Sequence, residues 1–329
     1  MKLKSMPEDF IVEEINHLTY FNTGKYSYYL LKKINLETQA CIQKISDIFK
    51  INPKYINVAG TKDKIAVTTQ YISISNGPEK DINTENCELK FLGKGNERLN
   101  LGMLSGNTFT ITVKNIMPEE KKRFSFKQFI NYYDDQRFGS RKNTHSIGRF
   151  LVKKDFKSAV LEAQSEHYPY SLVAEHLEGH PTDYVGALRK LPKKLLLMFV
   201  HAYQSYLWNE TVKEYLKSKK YNSITYSLGE LFVPSAKIRD KKIPLISFDI
   251  ETDAKMQNIL DIVMKKEGIT ALDFIIKQIP ELLAAWGTRD LLIDCKDFSA
   301  KWVDDETVIL KFTLGKGSYA TMAVKQLFC

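Results

Sequence analysis

The side chain best placed to do chemistry in this chain is a carboxylate in a short polar turn. Asp63 lies between Lys62 and Lys64, within the stretch from Asn57 to Gln70. Nearby positive charge favours the charged form of a carboxylate. Such a group can act as nucleophile or base without a metal. The plainer reading of Lys-Asp-Lys is a solvated, charge-balanced turn, and the text around it must decide. Residues 55–58 and 66–74 are apolar and β-branched and predict two strands, while Gly60, Thr61 and Asp63 supply turn chemistry between them.

The elements that would hold this turn are legible on both sides of it. Residues 9–15 and 26–34 predict strands, the second alternating Tyr26, Tyr28, Leu30 against Ser27, Tyr29, Leu31. Residues 37–50 predict a helix with Cys41, Ile45, Ile48 and Phe49 on one face, stopped by Asn52-Pro53. Strands follow at 88–92 and 108–116, and Glu119 to Arg123 predicts a solvated helix start. From about 151 to 285 helical patterns dominate, as in 195–217 with Phe199, Tyr203, Tyr206 and Leu207 on one side. Strand-like text returns near Leu291 and runs through 308–312. The fold class is α/β (α+β): a mixed sheet with helices packed on it. One sheet-bearing domain, 1–150 with 293–329, is interrupted by a mainly helical insert at 151–292.

Composition narrows the partners. The chain has 329 residues, 43% of them hydrophobic, enough for a substantial core. Lys and Arg number 48 against 39 Asp and Glu, a net charge of +9 that favours a polyanion. With 17 Tyr and 18 Phe, stacking on unpaired bases is within its means. Cys41, Cys87, Cys295 and Cys329 are too widely spaced for a paired metal motif and predict reduced thiols. No stretch reaches the ~20 apolar residues of a membrane span, and residues 1–10 lack a signal peptide's apolar core. The expectation is a cytoplasmic protein that does not engage membranes.

Three decoys are set aside. His176 and His180 have a ligand-like spacing, but Gly179 and Pro181 argue against a helix there. Gly93-Lys-Gly95 and Gly315-Lys-Gly-Ser318 lack the earlier glycine of a phosphate loop. Lys121, Lys122 and Arg123 read as a solvated face rather than an RNA contact.

Six blocks, in order along nearly the whole chain, resemble the TruD family of tRNA pseudouridine synthases. They are Lys4-Ser-Met-Pro-Glu-Asp-Phe10; Ala59-Gly-Thr-Lys-Asp-Lys64 with Ala66-Val-Thr-Thr-Gln70; Leu99 to Phe109; Asn131-Tyr-Tyr133 with Gln136-Arg-Phe-Gly139; Tyr203 to Asn209; and Gly315 to Thr321. The resemblance implies a pseudouridine synthase catalytic domain interrupted by a TruD-type insertion. It implies an isomerase (intramolecular transferase) that converts uridine, at position 13 of certain tRNAs, to pseudouridine without cofactor or metal. Asp63 matches the family's catalytic aspartate. Phe10, Asn131 and Tyr319 match positions lining the nucleotide pocket, and Lys4 a lysine near it. Where the family reads Asn-Tyr-Phe-Gly, this chain has Asn131-Tyr-Tyr133-Asp134, so Tyr133 keeps a stacking ring and adds a hydroxyl. Asp134 requires its turn to accept a side chain and a charge, and Tyr319 stands where some members carry Phe. The expected partner is tRNA, with no obligatory protein partner and a monomeric state. The rival class is a non-catalytic RNA-binding or RNA-chaperone protein on the same fold, against which the intact Asp63, Lys4 and Asn131 argue.

Overall fold

The structure, a computed structural model, describes residues 1–117, 127–284 and 286–329. The expected helix start at Glu119 to Arg123, with Lys121 and Lys122, lies outside the described residues. In chain order the strands and helices are β1 (Phe10–Ile15), β2 (Tyr26–Ile34), α1 (Thr38–Phe49), β3 (Ile56–Val58), β4 (Val67–Ser75), β5 (Ile82–Thr84), β6 (Cys87–Gly95) and β7 (Gly106–Val113). There follow β8 (Gln128–Ile130), α2 (Thr144–Val152), α3 (Phe156–Ala163), α4 (Ser171–Gly179), α5 (Tyr184–Arg189) and α6 (Lys193–Leu216). The remainder are β9 (Tyr221–Tyr226), β10 (Gly229–Pro234), β11 (Lys242–Pro244), α7 (Ala254–Glu267), β12 (Thr288–Asp290), β13 (Leu292–Asp294), β14 (Lys296–Trp302), β15 (Val308–Gly315) and α8 (Ala320–Leu327). The chain divides into two compact units, one of Met1–Phe129 with Ile293–Ala320 and Phe328, the other of Ile130–Leu292 with Thr321–Leu327 and Cys329.

The first unit is built on a mixed sheet of nine strands in the order β14-β15-β7-β1-β4-β2-β6-β5, with β3 also paired to β4. β1 and β4 run parallel, and β4 pairs antiparallel with β2 and β3. Alternation along β2 turns Ser27, Tyr29, Leu31 and Lys33 to one buried face. On that side α1 packs Cys41, Ile42 and Ile45 in one cluster with Ile56, Ile72, Ile74 and Leu89. Each such aliphatic side chain contributes roughly 1.5–3 kcal/mol by leaving water. Ile48, expected on the packed face, is exposed, because burial centres on Thr38, Ile42, Ile45 and Ser46 and leaves it at the edge. Lys50 ends the helix in a left-handed conformation, φ +54, before Pro53.

The second unit is arranged about α6. The sequence period of 195–217 predicts a single apolar side. Instead Phe199, Val200, Tyr203, Leu207, Trp208 and Val212 are buried together with Gln204, Ser205, Asn209 and Thr211, so residues all round it are covered. Helix α2 packs along α6, and a Cβ at Gly148 would overlap the Phe199 carbonyl, so glycine is required for that approach. β9 with β10 and β11 with β12 form antiparallel pairs in the same unit.

Candidate active site

Asp63 lies in the loop that joins β3 to β4, as the two apolar runs predicted. Four bonds fix that loop from behind. Gln70 Nε2 donates to the Gly60 carbonyl at 3.2 Å, and the Lys62 N–H donates to Thr38 Oγ1 at 3.1 Å. Lys62 Nζ meets Glu14 Oε2 at 2.6 Å, with side chains only 5% and 0% exposed. Lys33 Nζ donates to the Asp63 carbonyl at 2.6 Å. Burial pulls the Lys33 ammonium below the ordinary lysine value, against the opposing pull of Cys41 and Asp63. The backbone of Asp63 therefore hangs from a buried cation.

The side chain points the other way, 31% exposed, and its Oδ2 accepts from Lys4 Nζ at 2.6 Å. Of the lysines near it in sequence, Lys62 is turned inward to Glu14 and Lys64 stands 3.9 Å from exposed Glu37, while distant Lys4 places a cation on the carboxylate. Lys4 has φ +54 and places its ammonium 3.9 Å from the centre of the Phe10 ring. Its segment is pinned by buried Asp9, which pairs with Lys114 at 2.7 Å. Phe10 is buried and meets Phe109 edge-on at 6.0 Å. Lys4 thus touches both Asp63 and the Phe10 ring. Half-buried Tyr319 lies in the same unit, just beyond β15.

Asn131, Tyr133 and Asp134 belong to the second unit and form a different constellation. Asn131 is buried; its Nδ2 donates to the Asp290 carbonyl at 3.2 Å, and its Oδ1 accepts from Arg289 Nη2 at 2.6 Å. Arg289 also donates from Nε to the Asn131 carbonyl at 2.8 Å, and its guanidinium lies 4.1 Å from the centre of the Tyr133 ring. Asn131 therefore orients an arginine over an aromatic face. The Tyr133 backbone is clamped by Asn209, which accepts from its N–H and donates to its carbonyl, both at 2.9 Å. Trp208 meets the Tyr133 ring edge-on at 5.7 Å. Asp134 sits on extended backbone, φ −97 and ψ 174, which any residue can adopt. Its buried carboxylate accepts from the Thr321 hydroxyl and from Lys325 Nζ at 3.1 Å. Replacing the family glycine costs no strain here, and the added charge has its partner.

Lys33, Glu14, Asn209 and Arg289 were missed in the sequence. For Lys33 a signal existed: it shares the parity of Tyr29 and Leu31, the core-facing side of β2. The others have partners too far along the chain to read. His176 does lie on a helix, α4, which ends at Gly179; its Nε2 lies 2.9 Å from Asp183 Oδ2. Among the described residues no three His, Cys, Asp or Glu side chains are grouped to hold a metal, and no helix is long and apolar enough to cross a membrane.

Sheet and site together define a mixed α/β protein with an ion-paired, solvent-reachable aspartate on a rigid loop. The family model for tRNA pseudouridine synthase D (TruD) matches residues 1–171, 163–237 and 236–327. The tRNA pseudouridine synthase D of Aquifex aeolicus is 32% identical, over 100% of this chain and 98% of its own length. A protein of Nanoarchaeum equitans named probable tRNA pseudouridine synthase D is 31% identical, over 100% and 98%. A crystal structure from Methanosarcina mazei, described as a candidate tRNA pseudouridine synthase D, superposes with a TM-score of 0.74 at 28% identity, covering 99% of this chain and 93% of that one. The chain belongs to the TruD family of tRNA pseudouridine synthases.

Proposed function

We infer that this protein is a tRNA pseudouridine synthase, an isomerase that rearranges a uridine of tRNA, at position 13, into pseudouridine. The observation that carries the reading is the Lys4–Asp63 pair on a loop bonded from behind, in a chain of this family. The uracil N1–C1′ bond breaks, the base turns, and C5 joins C1′ while the C5 proton leaves and N1 takes one up. The change is redox-neutral and needs no cofactor. Asp63 supplies its carboxylate at the sugar, as nucleophile on C1′ or as the base at C2′. Lys4 orients it. Tyr319 offers an aromatic face that holds a turning base without fixing one edge, and buried Phe10 backs Lys4 at the pocket floor. In the second unit Tyr133, carrying Arg289, offers a stacking plane and a cation for RNA.

The target nucleotide must leave its stack before the carboxylate can reach it, at a cost of a few kcal/mol. Lysines and arginines in contact with phosphates offset that cost. The protein acts in the cytoplasm as a monomer on tRNA alone, the discontinuous sheet domain bearing the nucleophile. The test is incubation with unmodified tRNA, no cofactor, and mapping of pseudouridine, with and without EDTA. Pseudouridine in both samples is expected. RNA that is bound but unmodified would make this a binding protein, and a metal requirement surviving RNA-refolding controls would overturn the cofactor-free chemistry.

A further inference from the structure

Leu101 is 74% exposed, yet the residues on either side of it are held by hydrogen bonds. It occupies the second position of a turn closed by the Met103 N–H on the Asn100 carbonyl at 3.1 Å, with Gly102 at φ +90 in the third. That is type II turn geometry, in which the second residue projects outward. Both polar groups of Gly102 are tied down: its N–H donates to the Ala59 carbonyl at 2.7 Å, and its carbonyl accepts from Lys316 Nζ at 2.9 Å. Behind the turn, buried Leu99 donates its N–H to Ser73 Oγ at 3.0 Å. Ala59 opens the loop of Asp63 and Lys316 opens the run to Tyr319, so the turn is bonded to two segments of the candidate site. Met6 and Ile65, close in sequence to Lys4 and Asp63, are also exposed apolar side chains.

A single exposed leucine is ordinary on a protein surface. This one sits on a turn that hydrogen bonds tie to Ala59 and Lys316. It suits an RNA enzyme, because a flipped nucleotide leaves a gap in the stack that an inserted apolar side chain can fill. Resting on the function inferred above, we propose that Leu101 is a wedge that enters the RNA stack beside the target uridine and holds the extruded state open. Lys316 is its positioning residue.

The test compares Leu101→Ala and Leu101→Phe with wild type in single-turnover assays at saturating RNA. One substrate is folded tRNA; the other carries the same uridine between abasic sites, where nothing remains to unstack. On folded tRNA, Leu101→Ala should be slower by roughly tenfold or more, the scale of one lost base–side-chain stack, with affinity little changed. Leu101→Phe should restore the rate, and both variants should match wild type on the abasic-flanked RNA. Wild-type speed of Leu101→Ala on folded tRNA, or an equal defect on both substrates, would overturn the wedge. Failure of the wild type to modify either RNA would instead overturn the functional reading. 2-Aminopurine placed beside the uridine then still reports on Leu101. Its fluorescence should rise on binding wild type but not Leu101→Ala, and an equal rise would again refute the wedge.

Discussion

At the scale of single residues, two acid–base pairs on the same loop have opposite consequences. Asp63 and Lys4 are partly exposed, and their pair orients a reactive group. Asp63→Asn is nearly isosteric and should leave tRNA binding intact while slowing single-turnover tritium release from C5-labelled uridine by on the order of a thousandfold or more. Substantial release by this variant would remove Asp63 from the chemistry. In the sequence Lys62 is a flanking charge whose replacement by Ala should retain activity. Its burial against Glu14 adds a consequence for stability. Lys62→Ala leaves an unpaired carboxylate in the interior and should cost about 3–5 kcal/mol of stability. Chemical denaturation measures this, and Lys62→Ala with Glu14→Leu should recover most of the loss. A Lys62→Ala protein as stable as wild type would show the pair to be unimportant.

Among elements, β2 does more than support the sheet. Its alternation delivers Lys33 beneath the loop that β3 and β4 present, where the ammonium meets the Asp63 carbonyl. Lys33→Met removes the cost of a buried charge but also the donor on the Asp63 carbonyl, so stability should fall by no more than about 1–3 kcal/mol. The same variant releases the backbone of Asp63 and should lower the single-turnover rate by roughly tenfold or more, since small misplacements of reacting groups are expensive. Denaturation and turnover measured on one preparation separate the two effects; unchanged turnover would deny Lys33 a positioning role. Helix α6 acts comparably in the second unit. The Tyr203–Asn209 block reads as helical text, but its use is to set Trp208 and Asn209 against Tyr133, and that pairing spans 76 residues. Helical periodicity cannot reveal a partner so distant.

At the scale of the whole molecule, charge governs response to pH. Burial holds His145 and His201 below the ordinary histidine value of 6.5. The unfolded chain then binds protons that the folded state refuses. Their contribution to stability is complete above that value and is lost as pH falls below it. Glu214, held below its ordinary 4.5 chiefly by the Lys266 hydrogen bond, adds stability present above that value and lost as pH falls further, through its folded value. Denaturation midpoints should decline in two stages, the first beginning near pH 6.5, and His145→Gln with His201→Gln should remove that first stage. A midpoint flat from pH 7.5 to 5 would contradict the assignment.

The sequence alone determined the strand text around Asp63, helix α1, the class of the sheet and the family, because alternation, helical period and residue identity are properties of neighbours along the chain. It also marked Asp63, Lys4 and Tyr133 as worth following. Only the tertiary structure decided that Lys4, 59 residues away, bonds the Asp63 carboxylate while Lys62 turns to Glu14. It likewise decided that Lys33 and Asn209 hold the backbones of Asp63 and Tyr133, that Arg289 covers the Tyr133 ring, and that Lys325 receives the unfamiliar charge of Asp134. Lys62 is taken by Glu14 of β1, 48 residues away, so sequence proximity to Asp63 gave it no claim on that carboxylate. Partner choice depends on strand register and burial, which exist only once distant segments have packed.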